Sequence, residues 1–409
     1  MSSSGRGNLP EGGNLSDPDL FARGEAHDVW TAMRRTAPVR WQDAQAADRG
    51  GFWSVTRHAD VSRVLRDHAA FTSSRGTLLN LLGRADPASD SQLAATDPPR
   101  HDRMRAPLQH AMTARSVQPH RERLRAWFDA LLEPLGDGEA VDFAQLVRPV
   151  PFAAAGPMLG IPEADWDRLA TLVMMASAEE DPAVALPRGP EATLRRAHRE
   201  LFAYFLDLTN RRRRAPGEDL VSLLLSVEVG GVRLDPGAVV ANCYSLALGA
   251  GATVPTVIVS TMAELMVDSR RAEGAKPRGP IELFVEEALR WASPAGHFMR
   301  HAVRPVDLGG VRVGAGDAVV AWLPSANRDE AVFGEPFRFV PDREPNRHVA
   351  FGAGRHYCLG APLARMTLAV FFEALFGRFG GFEPAGQAER LRSVFLNGFR
   401  TLPVRAGTS

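Results

Sequence analysis

FGAGRHYCLG, residues 351–360, sets a histidine and one of the chain's two cysteines among three glycines. A cysteine acts as nucleophile or metal ligand only as thiolate, and backbone N–H groups or a helix N-terminus facing the sulfur favour that form. Gly352 and Gly354 open turn angles closed to other residues, so that amides can point at Cys358. The following LGAPLARMTLAVFFEALF reads as an amphipathic helix with Pro362 tolerated in its first turn. Cys358 is therefore expected on a loop that opens a helix.

The rest of the chain bounds what such a thiolate can serve. It has 409 residues, 45% of them hydrophobic, enough for a large core. The formal net charge is zero, which gives no global attraction to nucleic acid or an acidic membrane. Nearly every basic residue is arginine, a mark of genome composition rather than of phosphate recognition. Two cysteines make no disulfide framework, and Cys243 lies in an apolar helical run, so a reducing cytoplasm is expected. MSSSGRGNLPEGG lacks an apolar signal core; residues 1–13 read as a flexible arm and 14–409 as a single domain.

From Gly237 to Ala263 no charged residue occurs, a length that could span a bilayer. Asn242, Gly249, Gly251, Thr253, Pro255 and Thr256 interrupt it, so it reads as a long helix buried in a large domain, capped by Asp235 and Pro236. Further amphipathic helices are expected near 27–36, 58–68, 100–113, 117–134, 163–178, 191–214, 280–291 and 361–379. Short β-like runs (PVRW, FWSVT, VRVGAGDAVVAW, LPVRA) lie mostly toward the two ends. Residues 72–92 read as a binding loop with an apolar inner side, and 210–219 as a charged helix end with a solvated turn.

Several motifs in one order resemble a known family. FGAGRHYCLG is similar to the cysteine-ligand loop of cytochromes P450, the haem-thiolate monooxygenases. EALR (Glu287 to Arg290) resembles the E-x-x-R of that family, FVPDR the segment adding Arg343 to the glutamate, and HDRMR the helix that holds haem propionates. The resemblance covers about residues 15 to 405 and implies a mainly α fold with small β-sheets and a long central helix over the haem. It implies haem b with Cys358 as the axial iron ligand, and Phe351, Gly352 and Gly360 shaping the ligand loop. His101, Arg105, Arg300 and His356 match propionate positions, and arginine suits carboxylates because its fork donates two parallel hydrogen bonds. Glu287, Arg290 and Arg343 are expected as a buried structural ion network.

The central helix departs from the family pattern. In LGAGATVPT (248–256), taking Gly249-Ala250 as the small pair puts Ala252 where the acid usually stands and Thr253 at the catalytic alcohol; a shift of one puts Thr253 at the acid and Val254 at the alcohol. The first register is preferred because it keeps a hydroxyl, and in neither is there a carboxylate. Pro255 frees the Gly251 carbonyl, which would join the proton relay or simply accompany a bend. By family position the pocket would include Leu78, Leu79, Val173, Met174, Leu246, Ala250, Gly296, His297, Phe298 and Phe395. His297 is read either as a polar anchor for a substrate carboxylate or phenol or as a satisfied core histidine.

Between residues 97 and 125 seven arginines face three acids, a basic proximal face suited to an acidic ferredoxin. The expected protein is a cytoplasmic, monomeric monooxygenase that binds neither nucleic acid nor membrane. It would take electrons from a separate ferredoxin and reductase and oxidise a small organic substrate of secondary metabolism, free or tethered to a carrier protein. The missing acid points alternatively to phenol coupling, ring formation, or peroxide- or nitrogen-oxide-dependent chemistry; a non-catalytic haem protein is the third reading.

Overall fold

A computed structural model describes residues 13–44, 49–269, 277 and 279–407. Of the expected N-terminal arm only Gly13 falls within them, and it is buried. Helix forms where an apolar period runs, as in Ala26–Thr36, His58–Arg66, Trp166–Ser177, Pro190–Arg214 and Ile281–Ala292, and also over Arg100–Ala111 and the uncharged run Pro236–Ser269. Ala361–Arg378 is helical as expected but not amphipathic, since it is buried on every side from Met366 to Phe372. The stretch expected as one helix over 117–134 is instead a 3₁₀ turn at Gln118–His120, which holds Pro119, followed by the helix Arg121–Leu131.

Among the helices the sequence did not announce, which include Pro18–Ala22 and Leu220–Ser226, Val150–Leu159 is the longest. VPFAAAGPML is apolar all round, so it has no period to read, and a helix without a polar face is stable only when enclosed. It is enclosed: Phe152, Ala153 and Ala154 are buried, and Gly156 allows the Trp166 indole to approach to where a Cβ would stand 2.6 Å from its nitrogen. Gly160 ends the helix in the left-handed region at φ +68°.

The main sheet has the strand order Val39–Asp43, Gly51–Val55, Ala318–Trp322, His297–Ala302, Phe71–Thr72. Its strands are drawn from two distant parts of the sequence, not from the two ends alone. Ala318–Trp322 is buried at every position because it serves two cores: Val319 and Ala321 point into one, Ala318, Val320 and Trp322 into the other. His297–Ala302 pairs antiparallel with it, setting Trp322 opposite His297 and Val319 opposite Arg300. This strand carries no alternation, which is why sequence reading passed over it.

The central helix Pro236–Ser269 packs against the helices Val150–Leu159, Trp166–Ser177, Pro190–Arg214 and Ile281–Ala292. It is long and apolar enough to cross a membrane, and most of its surface is covered by protein. Asp235 accepts from the Ala238 N–H at 3.0 Å at its start, and the helix continues through Pro255. Gly251 is buried where a Cβ would lie 2.9 Å from Val173 and 3.2 Å from Phe152, so that position must be small for the helices to meet. The charged turn after Pro190–Arg214 is not all solvated: Arg212 pairs with Asp219, which caps the helix Leu220–Ser226.

Glu287 is fully buried and accepts from five groups. Arg290 donates to it at 2.7 Å from both Nε and Nη2, Arg343 Nε at 3.1 Å, the Val340 N–H at 2.8 Å and Asn346 Nδ2 at 3.1 Å. Arg290 spends its remaining donors on the carbonyls of Asn327, Pro336 and Arg338. Removing the carboxylate charge strands two buried guanidinium groups. Glu287→Gln should therefore lose about 3–5 kcal/mol of stability in urea unfolding, and a loss under about 1 kcal/mol would show that the network is solvated.

Candidate functional site

Cys358 sits where a tight loop becomes a helix. Gly352 and Gly354 take φ of +71° and +73°, and the Cys358 N–H closes the loop on the Phe351 carbonyl at 2.9 Å. Gly354 presses on the helix His58–Arg66, where a Cβ would stand 2.8 Å from the Arg66 Cα. The Phe351 ring lies under the Arg365 guanidinium at 4.6 Å, which braces the loop from the helix side.

The amides of Gly360 and Ala361 and the charges of Arg105 and Arg365 all favour thiolate at Cys358, yet burial outweighs them and pushes the thiol up. A coordinated metal would add to the favourable contributions and complete the deprotonation. The other cysteine, Cys243, is enclosed in the central helix with its thiol raised to about 12 by burial.

Four basic residues read from the sequence meet beside this loop. The rings of His101 and His356 are 4.3 Å apart, and Arg105 donates to the Tyr357 carbonyl at 2.6 Å. Arg300 is 4% exposed and donates to its neighbour's carbonyl, Met299, at 2.8 Å. His101 is fully buried with Nε2 unpartnered, and its Nδ1 lies 3.1 Å from Asp102. Burial and the charges of Arg300, His101 and Arg105 push His356 down to about 2. A wall so rich in buried donors fits anionic arms, and with Cys358 facing the same region the residues fit haem, with one sulfur ligand and two carboxylates. Sequence reading missed Asp97 and Ser73 at its edge: Asp97 accepts from the Ser73 N–H at 3.0 Å, and Ser73 Oγ lies 3.2 Å from His356 Nε2.

On the central helix Gly249 is exposed, Thr253 is partly exposed, and a Cβ on Gly249 would touch nothing within 4 Å. Ala252 and Val254 are 1% and 7% exposed. Of the two registers, the one that places Thr253 at the alcohol position is the one whose hydroxyl faces open space. Thr253 Oγ1 donates to the Gly249 carbonyl at 2.8 Å, the local satisfaction usual for threonine in a helix.

A cavity of about 240 Å³, open to solvent on one side, lies between residues 78–84, the end of the helix Trp166–Ser177 and the turn 392–395. Leu78, Leu79, His297 and Phe395 of the expected pocket line it. Met174, Leu246, Ala250 and Phe298 are partly exposed but not on its wall. Val173, fully buried, packs against Gly251 instead, and Gly296 is wedged against the 394–395 backbone, donating to the Phe395 carbonyl at 2.6 Å.

His297 is a tie between loops. The Leu79 N–H donates to its Nε2 at 2.9 Å, so that nitrogen carries no proton, and Nδ1 faces the Val394 carbonyl at 3.3 Å. Burial lowers its pKa to about 4. Both nitrogens are spent on backbone, which corrects the polar-anchor reading in favour of a satisfied core histidine.

The other polar groups on the cavity wall, unread in the sequence, carry both signs: Glu179, Glu180 and Glu191 stand with Arg49, Arg84 and Arg392, and Asn80 and Ser177 lie among them. Burial and Glu179 raise Glu180 to about 7. Ser177, Glu179 and Glu180 form one short run at the end of a helix and Asn80 comes from a distant loop, so no motif announces them.

The basic face is thinner than composition suggests. Arg121 pairs with Glu373, Arg125 with Asp129 and Arg355 with Asp102, while Arg123 reaches the Ala153 carbonyl at 2.9 Å.

Comparison with known proteins agrees with this geometry. A family model described as Cytochrome P450 matches residues 281–400. The chain is 35% identical to Cytochrome P450 NovI of Streptomyces niveus over 96% of both chains. It is 31% identical to Linalool 8-monooxygenase of Pseudomonas putida, over 96% of this chain and 98% of that protein. The crystal structure of P450 OxyD, involved in the biosynthesis of vancomycin-type antibiotics, superposes with a TM-score of 0.82 at 31% identity, covering 97% of this chain and all of that one.

If His297 is a tie, His297→Phe should leave the Leu79 N–H and Val394 carbonyl unpaired and cost about 1–3 kcal/mol in thermal or urea unfolding. An unchanged stability would return the imidazole to a substrate-facing role.

Proposed function

The chain belongs to the cytochrome P450 family of haem-thiolate monooxygenases, and from that premise we propose that it inserts oxygen into a small organic molecule of secondary metabolism. Electrons would come from a separate ferredoxin and reductase. The observation that carries the reading is Cys358 at the opening of the helix Ala361–Arg378, beside the partly buried donors Arg105 and His356 and the buried Arg300 and His101. A relative involved in antibiotic biosynthesis supports the pathway class.

In this reading Cys358 ligates haem b, and His101, Arg105, Arg300 and His356 hold its carboxylates. The haem supplies oxygen activation, the anionic sulfur favouring O–O cleavage. Thr253 Oγ1 is the hydroxyl that would hand on a proton, after leaving the Gly249 carbonyl to which it now donates. No carboxylate stands at residue 252, so the Gly251 carbonyl freed by Pro255 and a water would serve as the relay's next station. The exposed arginines 103 and 115 are candidates for steering an acidic ferredoxin. Two free cysteines, one of them buried, are in keeping with a reducing cytoplasm.

The alanine at 252 is also the one feature that favours a second reading, in which the same haem-thiolate couples phenols, closes rings or works with peroxide or a nitrogen oxide. Turnover with a surrogate ferredoxin, reductase and labelled dioxygen separates the two: label in the product supports insertion, and an unlabelled coupled product supports the alternative. In the same assay Thr253→Ala and Pro255→Ala should each raise the peroxide released per NAD(P)H by about two- to tenfold. Unchanged coupling would remove the altered residue from the relay.

A further inference from the structure

The helix Pro190–Arg214 leaves one line of its surface bare. Arg195, Arg199, Phe202, Leu206 and Arg213 follow one another at steps of four, three, four and seven residues, which sets them in a row along one face. All five are exposed, Phe202 by 37% and Leu206 by 49%. At 1.5 Å per residue the row is about 27 Å long. The Phe202 ring is held in place by stacking on Tyr244 of the central helix, with centroids 4.9 Å apart. A single exposed apolar side chain needs no explanation. Here two stand one turn apart, with arginines beyond both ends.

The charge of this helix is uneven. It carries seven arginines and three acids, and each acid is already engaged. Glu191 pairs with Arg84 and Arg195, Glu200 with Arg168 and Arg196, and Asp207 with Arg211. Arg212 pairs with Asp219 beyond the helix end. Among the described residues no acid pairs with Arg199 or Arg213. No acid stands in the row between Arg195 and Arg213. A second copy of this face would set arginine against arginine, so its complement is an acidic surface with an apolar centre.

The same helix leads to the cavity. Pro190, Glu191 and Leu194 line that cavity, and Phe202 lies about 12 Å from Leu194 along the axis. The helix packs on Trp166–Ser177 and on the central helix, whereas the Cys358 loop rests on His58–Arg66. A partner on this row therefore stands beside the cavity rather than beside the sulfur. We infer that the row docks an acidic helix of a second protein, whose apolar side chains cover Phe202 and Leu206 while its carboxylates meet Arg195, Arg199 and Arg213. That protein serves the cavity, by bringing or holding substrate, and is not the electron donor. Its role rests on the monooxygenase reading; the docking does not.

Fluorescence anisotropy of the haem-loaded protein tests it, with a labelled helical peptide that has leucines on one face and glutamates on both flanks. The control is the same peptide with lysine for glutamate. The glutamate peptide should bind about tenfold tighter or more, and the preference should shrink as sodium chloride rises from about 20 to about 300 mM. Leu206→Ser with Arg199→Glu should weaken its binding about tenfold at an unchanged thermal midpoint. Arg213→Glu alone should weaken it about two- to fivefold. Arg103→Glu with Arg115→Glu should leave it unchanged, and a surrogate ferredoxin should not displace it. Equal binding of the two peptides, or binding that survives the Leu206, Arg199 and Arg213 substitutions, overturns the inference. So does loss of binding in the Arg103 and Arg115 variant, or displacement by ferredoxin, either of which would place the peptide on the face for electron supply. Phosphatidylglycerol vesicles that bind through Leu206 and Arg199 while the peptides show no preference would overturn it in favour of a membrane surface. A failure of the monooxygenase reading would appear separately, as absent oxygen-dependent turnover in a protein whose peptide preference is intact.

Discussion

The buried carboxylate of Glu287 is the constraint from which the rest of the site hangs. It accepts from Arg290, Arg343, Asn346 and the Val340 amide, and Arg290 passes the tension on by donating to the Asn327 carbonyl at 2.9 Å. Asn327 Oδ1 in turn accepts the Val349 N–H at 2.7 Å, the Val349 carbonyl accepts from Gly352 at 2.8 Å, and the Phe351 carbonyl accepts from Cys358. A continuous run of hydrogen bonds therefore leads from a fully buried ion network to the sulfur. Desolvating such a network is costly, and its return is a loop with one geometry rather than several.

The electrostatics divide the molecule into two regions of opposite demand. Beside Cys358 the polar groups are donors: buried Arg300 and His101 crowd together with partly buried His356 and Arg105, and burial lowers the pKa of both histidines. Along the cavity wall near Glu179 they are acceptors, with carboxyl groups that burial pushes up. The first region is suited to anionic arms from outside the chain, whereas the second also carries Arg49, Arg84 and Arg392.

How much of this could be read from the chain follows from how local each feature is. The Cys358 loop, Glu287 with Arg290, and His101 with Arg105 lie within a few residues of one another, so spacing exposes them. The long helices announce themselves by period or, for Pro236–Ser269, by a long uncharged run. What stayed hidden is what depends on packing. The Val150–Leu159 helix has no polar face to set a period, and the His297–Ala302 strand is buried on both sides. His297 could be placed at the cavity, but whether its nitrogens were free depended on Leu79 and Val394, which approach from distant loops. Val173 and Gly296 were assigned to the pocket by position, yet each is taken up by a close backbone approach. The acidic wall was missed because the SAEE run at 177–180 is no motif by itself and Asn80 joins it only in three dimensions.

The central claim is that Cys358 binds haem iron as thiolate. It is tested most directly by the optical spectrum of the dithionite-reduced carbon monoxide complex, recorded for the wild type and for Cys358→His. The account predicts a strongly red-shifted main band in the wild type, replaced in the variant by the shorter-wavelength band of a nitrogen-ligated haem. A wild-type band already at the shorter wavelength, or one that the substitution does not move, would contradict it.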